Sequence, residues 1–549
     1  MSPVFLNSKR LDSKKDDSLF DFADSLSIRV PTSCGRTGEC HECIVEVRRG
    51  ASALTPLTES EKFLRGNYRL ACQALVADPS ADIEFSVLRR QPRILTSGTR
   101  RDVELRPAYV RGDDGESVVF NGPEGPVTVD TFRRAIYGIA ADLGTTTVVL
   151  NLVDLESGET VYTASFENPQ RFGGSDIMNR ISYDGGPDAG ELQAVMVSSI
   201  NFEIGEMVRA LKIRRRQIYE IVAVGNTTMR EIFFGIDVQS IGTRPYKSSV
   251  EDEFRASKRP TTALSTTAAR LGLRIHPKAT VYGGPLIASH LGADVAADLL
   301  ALGMEDRTDP VILIDVGTNT EVVVGYNGKL LAASCPAGPA FEGGEVTYGM
   351  PGYDGAIEKV AINDRGLAES RVIGDVEPIG ICGSGLIDLL AELRRTGMMD
   401  ELGKFDDGSG EYEFSESNNL TLSRADISAL AQAKAANYCG QAIVLREYGL
   451  PIDEFEKLYL AGGFANYVDA SNAIDIGFIA NMPLDRVEKI GNAALEGATI
   501  MLLSTPKREE IEKLTATIEH VELETAPDFF DFFVEGCLFK PMENVWQNS

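Results

Sequence analysis

The sequence predicts an α/β protein: a small cysteine-bearing N-terminal domain, a short linker, and two similar α/β lobes that face each other. Two observations carry this prediction. A strand–turn–strand–turn–strand pattern occurs twice, and four of the eight cysteines fall within the first 72 residues. At 549 residues the chain is too long for one compact core. The expected boundaries are 1–90 for the cysteine block, 91–134 for a linker or small subdomain, 135–308 for the first lobe and 309–549 for the second.

The cysteine block ends in an alternating, strand-like run at 82–87. From 88 to about 134 the chain turns irregular, with Gly, Pro and Arg and little apolar periodicity; 89–111 is locally basic between acidic neighbours. That stretch reads equally as a solvated connection or as a docking segment. Buried-strand runs follow at 137–142, 147–153 and 160–166, separated by GTT and LESGE turn signals. A helix is expected over 189–213, a strand over 218–224, and another apolar helix over 285–302. The run VILIDVGTNTEVVVGYNGKLLAAS at 311–334 then repeats the plan of YGIAADLGTTTVVLNLVDLESGETVYTAS at 137–165. In both, an Asp closes the first strand and a Gly-Thr turn follows; Asn327-Gly328 is a strong hairpin signal. Repeated units of this kind, each followed by helices, indicate paired lobes.

Cys34, Cys40, Cys43 and Cys72 stand as C-GRTGE-C-HE-C, with the fourth cysteine far along the chain. Thiolates so close can point at one centre, and Gly35 and Gly38 let the backbone wrap around it. Three cysteines in one loop and one distant is the [2Fe–2S] ferredoxin pattern, although the first gap is five residues rather than the plant-type four. Structural zinc remains open, but zinc favours two C-x₂-C knuckles and only one is present. His41, between two of these cysteines, reads as an exposed or supporting residue. Cys335, Cys382, Cys439 and Cys537 show no ligand spacing and read as buried small apolar groups.

The turns Asp142-Leu143-Gly144-Thr145-Thr146 and Asp315-Val316-Gly317-Thr318-Asn319 form a second constellation. Glycine permits a tight turn whose backbone N–H groups point at phosphate oxygens, threonine adds donors, and an Asp at a strand end can hold a metal through water. One such turn could be an ordinary hairpin; two on matching hairpins could clamp the phosphates of one nucleotide. Gly225-Asn226-Thr227 ends a strand, Gly383-Ser384-Gly385 opens a helix whose N–H groups could meet an anion, and Gly462-Gly463 ends a strand where a base or ribose could approach. Neither a Walker loop nor a Rossmann G-x-G-x-x-G is present.

Taken together, DLGTTT, GNTTM, DVGTNTE, PAGPAFEGGEVTYGMPGYDGAI, GICGSGLIDLLAEL, LAGGFANYVD and GNAALEGA resemble the reductive activators of corrinoid proteins, as do CGRTGEC and LTPLTESEKFLRGNYRLACQA. The resemblance spans most of the chain, least over 88–134. It implies a β-grasp [2Fe–2S] ferredoxin-like domain, a short linker and a two-lobed actin/Hsp70/sugar-kinase-like ATPase with duplicated α/β lobes. It further implies ATP with Mg²⁺ as cofactor, and ATP-dependent return of Co(II) to Co(I) on a corrinoid methyltransferase protein, methionine synthase or a demethylase. The partners implied are that corrinoid protein, a low-potential electron donor and a second copy in a homodimer. Cys34, Cys40, Cys43 and Cys72 would hold the electron; Asp142, Gly144, Thr145, Thr146, Asp315, Gly317 and Thr318 would grip phosphates and metal; Gly462 and Gly463 would border adenosine. Glu321 and Glu342 are the expected water- or metal-positioning carboxylates. Two departures stand out: CHEC where relatives often have glycine after the second cysteine, and a connecting segment too short for a full middle domain.

Three rivals share parts of this pattern. A small-molecule kinase of the same superfamily leaves the cysteines unexplained. An activator of a radical or dehydratase enzyme would place its cluster between subunits. An Hsp70-like sensor would make the cysteine block a zinc site. With 81 acidic against 54 basic side chains and a net charge of −27, the chain is a poor general binder of nucleic acid or anionic lipid. No apolar run approaches the roughly 20 residues of a membrane span, and the N-terminus lacks a secretory h-region, so a cytoplasmic protein is expected.

Overall fold

The computed structural model describes residues 3–6, 9–12, 14–88, 101–415, 418–463 and 465–543. Part of the basic stretch expected to link the domains, 89–100, lies outside the described residues.

The N-terminal unit is a five-stranded sheet crossed by one helix. Its strand order is Lys9–Asp12, Pro3–Leu6, Ile83–Val87, Ile44–Arg49, Tyr68–Leu70. The first hairpin is antiparallel, and its inner strand pairs in parallel with Ile83–Val87, the arrangement of a β-grasp. Helix Leu19–Ser25 begins at a capping box in which Ser18 and Asp21 satisfy each other's backbone N–H, and it buries Leu19, Phe20, Phe22 and Ala23.

The stretch that reads as irregular forms a three-stranded antiparallel sheet, Tyr109–Arg111, Ser117–Gly122 and Gly125–Thr131. Its strands are short and its turns rich in Asp and Gly, which hides the alternation. Tyr109 and Val118 are buried, and the Tyr109 hydroxyl donates to the Lys278 carbonyl at 2.9 Å, so the sheet packs on the body.

Each lobe is organised around one sheet, and the two sheets share an order. In the first, the strands run Thr160–Glu167, Thr147–Asp154, Tyr137–Leu143, Ile218–Val224, Thr280–Gly283, with Leu264–Thr267 at the edge. In the second they run Lys329–Cys335, Thr320–Tyr326, Val311–Val316, Lys457–Ala461, Val487–Gly491, with Glu519–His520 at the edge beside Lys329–Cys335. With the edge strands left aside and the rest numbered within each lobe, both are 3-2-1-4-5, antiparallel from 3 to 1 and parallel from 1 to 5. Asn327 and Gly328 both have positive φ, 52° and 77°, as their hairpin turn requires.

Helices Ala293–Leu302 and Ala493–Leu503 share one buried cluster with residues of both sheets. They touch at Gly497, where an added Cβ would lie 1.9 Å from the Ala297 carbonyl oxygen. The helix expected over 285–302 starts only at Ala293. Before it, Ala288 and Leu291 pair across a tight turn, and Gly292 is the N-cap. The first lobe adds helix Glu191–Ala210 and the second adds the 25-residue helix Arg424–Tyr448. Among the described residues no helix is long and apolar enough to cross a membrane.

Candidate functional site

Cys34, Cys40, Cys43 and Cys72 come together at one end of the N-terminal sheet. The Sγ atoms of Cys43 and Cys72 are 3.4 Å apart, and Cys34 and Cys40 are in hydrogen-bond contact. Gly35 and Gly38 take positive φ, 68° and 88°, so the loop can curl around its own sulfurs. All four are thiols rather than disulfides. Three soft donors in one tight loop and a fourth, Cys72, brought up beside them from after strand Tyr68–Leu70 fit an iron–sulfur centre. Gln73 Nε2 lies 3.4 Å from Cys72 Sγ, a hydrogen bond of the kind that tunes such centres. Of the other cysteines, Cys335, Cys382 and Cys439 are buried as expected, whereas Cys537 is partly exposed.

His41 is held by two contacts. Its ring stacks on Phe63 at 4.1 Å, and Nδ1 lies 3.0 Å from Glu191 Oε2 at the start of helix Glu191–Ala210. The cysteine loop therefore rests against the first lobe.

Between the lobes opens a cleft of about 210 Å³. Both Asp-x-Gly-Thr turns enter it from opposite sides, contributing Asp142, Gly144, Thr145 and Thr146 from one and Asp315, Gly317, Thr318 and Asn319 from the other. Asn226, Glu321, Glu342, Gly383, Ser384, Gly462 and Gly463 also line it. Gly225, Thr227 and Gly385 do not line it. Gly225 accepts the Ala293 N–H at 3.0 Å, Thr227 is buried against the Ala288 carbonyl, and Gly385 packs its helix on strand Ala356–Ile362, where a Cβ would meet the Ile357 oxygen at 2.4 Å. Glycine marks close packing as readily as close ligand approach, and Gly225 and Gly385 sit in close-packed contacts.

The cleft also contains groups that the sequence did not single out. Asp294 and Asp298 project from helix Ala293–Leu302, one turn apart. Asn492 donates to Asp142 Oδ2 at 2.8 Å, and Met350, Pro351, Ile373 and Tyr467 form the mouth. The only sequence signal for the aspartates is an i, i+4 acid pair in an otherwise apolar helix, a pattern shared with solvated faces.

Carboxylates dominate the electrostatics. Burial pushes Asp142 up to about 7, reinforced by the charge of Asp315 and partly offset by the Asn492 bond. Burial and then Asp315 push Asp294 up to about 7 as well. Asp298 is raised well above its ordinary range by burial and then by Asp315, and no donor among the described residues reaches either of its oxygens. Burial also raises Asp315, Glu321 and Glu342. Glu321 accepts from Ser334 at 3.0 Å. Glu342 ties the two turns together, accepting from Thr318 at 2.6 Å and from Thr146 at 3.3 Å. Among the described residues no lysine, arginine or histidine lines the cleft. A polyphosphate would meet backbone N–H groups, hydroxyls and the N-terminus of helix Gly383–Arg395, but no side-chain cation. Such a donor set accepts phosphate only together with a divalent cation, and Asp142 and Asp315 with the helix aspartates fit one.

Family models cover nearly the whole chain: a 2Fe-2S iron-sulfur cluster binding domain over 4–77, the RACo middle region over 137–307, and the C-terminal domain of RACo, the ASKHA domain, over 309–548. The chain belongs to the family of reductive activators of corrinoid proteins. Within it, this activator is 28% identical to the corrinoid activation enzyme RamQ of Eubacterium limosum, over 97% of this chain and 98% of that one. It is 22% identical to the [Co(II) methylated amine-specific corrinoid protein] reductase of Methanosarcina barkeri, over 73% and 76%. A solved structure, the reductive activator for corrinoid, iron-sulfur protein, superposes with a TM-score of 0.71 at 27% identity, covering 99% of both chains. The family's middle region coincides with what reads as the first lobe, so the short connecting segment removes no module.

Proposed function

We propose that this activator returns a corrinoid protein to its active state, moving one electron from the N-terminal domain to convert Co(II) to Co(I) at the expense of ATP bound between the lobes. The carrying observation is the pairing of two sites in one chain: four converging thiols on a β-grasp sheet, and an acid-lined cleft into which two matching phosphate-type turns project. Cys34, Cys40, Cys43 and Cys72 would hold a [2Fe–2S] cluster, which supplies a one-electron carrier. Gly144, Thr145, Thr146, Gly317 and Thr318 would receive the phosphates, and Asp142, Asp294, Asp298 and Asp315 would hold Mg²⁺, which supplies the positive charge that no cleft side chain does. Glu342 links the turns of both lobes through their threonine hydroxyls, and Glu321 orients water or metal from the strand beside Asp315. The residues at Gly383, Gly462 and Gly463 leave room for the nucleoside.

Coupling to ATP meets a thermodynamic need: each 59 mV of adverse potential costs a factor of ten for one electron. The partner is the corrinoid protein of a methyltransferase system, the donor a low-potential reductant, and the assembly a homodimer. A cytoplasmic setting accords with eight cysteines held as thiols.

The test uses anaerobically purified protein with a corrinoid partner and a low-potential donor. Co(II) reduction should require MgATP; equal rates with and without nucleotide, across several corrinoid partners, would refute the coupling. Cys43→Ser should abolish reduction and leave nucleotide binding intact.

A further inference from the structure

Six consecutive residues, 167–172, touch all three modules of the activator. Glu167, the last residue of strand Thr160–Glu167, is 1% exposed and accepts the Tyr353 hydroxyl at 2.5 Å. Tyr353 belongs to the second lobe and follows Met350, Pro351 and Gly352, which line the cleft. Asn168 is fully buried. Its backbone N–H bonds the Thr146 carbonyl and its side-chain amide bonds the Gly144 carbonyl, both at 2.8 Å, so it grips the first phosphate-type turn from behind. Phe172 meets Phe63 of the N-terminal domain edge-to-face at 5.4 Å, and Phe63 stacks on His41, between Cys40 and Cys43.

The segment is stiff. Asn168 caps its short helix by accepting from Gln170 N–H at 2.9 Å, and the Gln170 side chain bonds the Leu192 carbonyl at 2.9 Å. Arg180, fully buried, bonds the carbonyls of Thr145 at 2.7 Å and Gly174 at 3.0 Å, bracing turn and segment together. Tyr183 packs edge-on against Phe172 and donates its hydroxyl to the Phe63 carbonyl at 2.7 Å. Two cleft elements from different lobes thus bear on one rigid piece, and that piece bears on the cysteine loop through a run of rings. Packed, hydrogen-bonded elements transmit displacement because they cannot deform continuously.

We propose that residues 167–172 are the positioning element that couples the state of the cleft to the placement of the cysteine loop, with Tyr353 and Asn168 as its two inputs and Phe172 against Phe63 as its output. This rests on the nucleotide reading of the cleft. Tyr353→Phe removes one hydroxyl and Phe172→Leu one ring; neither residue lines the cleft or the cysteine centre, so nucleotide affinity, ATP hydrolysis and the visible spectrum of the iron–sulfur centre should stay as in the parent.

Hydrogen exchange on the cluster-loaded full chain, with and without a non-hydrolysable MgATP analogue, reads the coupling directly. In the parent the analogue should change exchange both at 144–147 and at 60–66. In either variant the response at 144–147 should remain; the response at 60–66 should be weakened in Tyr353→Phe, which keeps the Asn168 input, and lost in Phe172→Leu, where Co(II) reduced per ATP hydrolysed should fall by about tenfold, the size of ordinary coupling between sites. A parent response at 144–147 that never reaches 60–66, or one that reaches it equally in both variants, would overturn the coupling. No response at 144–147 in the parent would overturn the nucleotide reading itself, and the coupling with it.

Discussion

The two Asp-x-Gly-Thr turns share sequence pattern, strand order and a place in the cleft, yet they are held in different ways. The first is strapped mainly from behind: Asn168 and Arg180 bond its carbonyls, and within the cleft Asn226 donates to the Thr145 hydroxyl at 2.9 Å. The second is held within itself and the cleft, through Gly317 N–H to the Asn319 carbonyl at 2.9 Å and Thr318 to Glu342 at 2.6 Å. Duplication supplied two equivalent turns, and the surrounding lobe made them unequal. The first lobe also carries the docked N-terminal domain, so the strapped turn is the one joined to it.

Five predictions probe that inequality. The largest effect is one the two turns should share: Asp142→Ala and Asp315→Ala should each lower ATP hydrolysis by about 100-fold, as loss of a preorganised charge-handling group does, measured as turnover at saturating Mg²⁺. Unequal losses would show that the turns differ in chemistry as well as in support. Next comes Arg180→Leu, which strips the first turn of its brace. It should cost about 3 kcal/mol in urea denaturation, because it orphans buried carbonyls. Glu342→Gln, at the second turn, should leave the midpoint unchanged and raise the KM for ATP.

Asn492→Ala should weaken divalent-cation binding by roughly tenfold, the cost of losing a group that orients a ligand, read by titration calorimetry. The gentlest test is pH. Asp142 and Asp294 sit near 7 in the fold, above the ordinary carboxylate range, so the folded state retains protons that the unfolded chain releases. Stability of the metal-free protein should therefore fall as pH rises from 5 to 8, and saturating MgATP should flatten that slope, as melting curves would register.

Much of this architecture was legible in the sequence, because strands and turns are local. Strand Ile218–Val224 and the Asn327-Gly328 hairpin lie where the pattern predicts, and Asp142, Gly144, Asp315 and Gly317 line one cleft. What escaped was nonlocal or disguised. Asp294 and Asp298 look like a solvated helix face until the helix is seen between two lobes. The Tyr109–Thr131 region has strands too short to show alternation. Residues 167–172 carry no pattern, since their importance lies in contacts with residues up to 186 positions away. Gly225, Thr227 and Gly385 lie outside the cleft lining, in packed contacts whose sequence reads like a binding loop.

The absence of a basic side chain among the described cleft residues makes the cleft a charge filter. A bare triphosphate brings its charge into a cleft lined by seven carboxyls with no basic side chain to offset it, whereas one already dressed with magnesium carries its own counter-charge. The activator would then respond to the metal-complexed fraction of cellular ATP rather than to its total. A fall in free magnesium would idle the repair of corrinoid partners while the nucleotide pool stayed full.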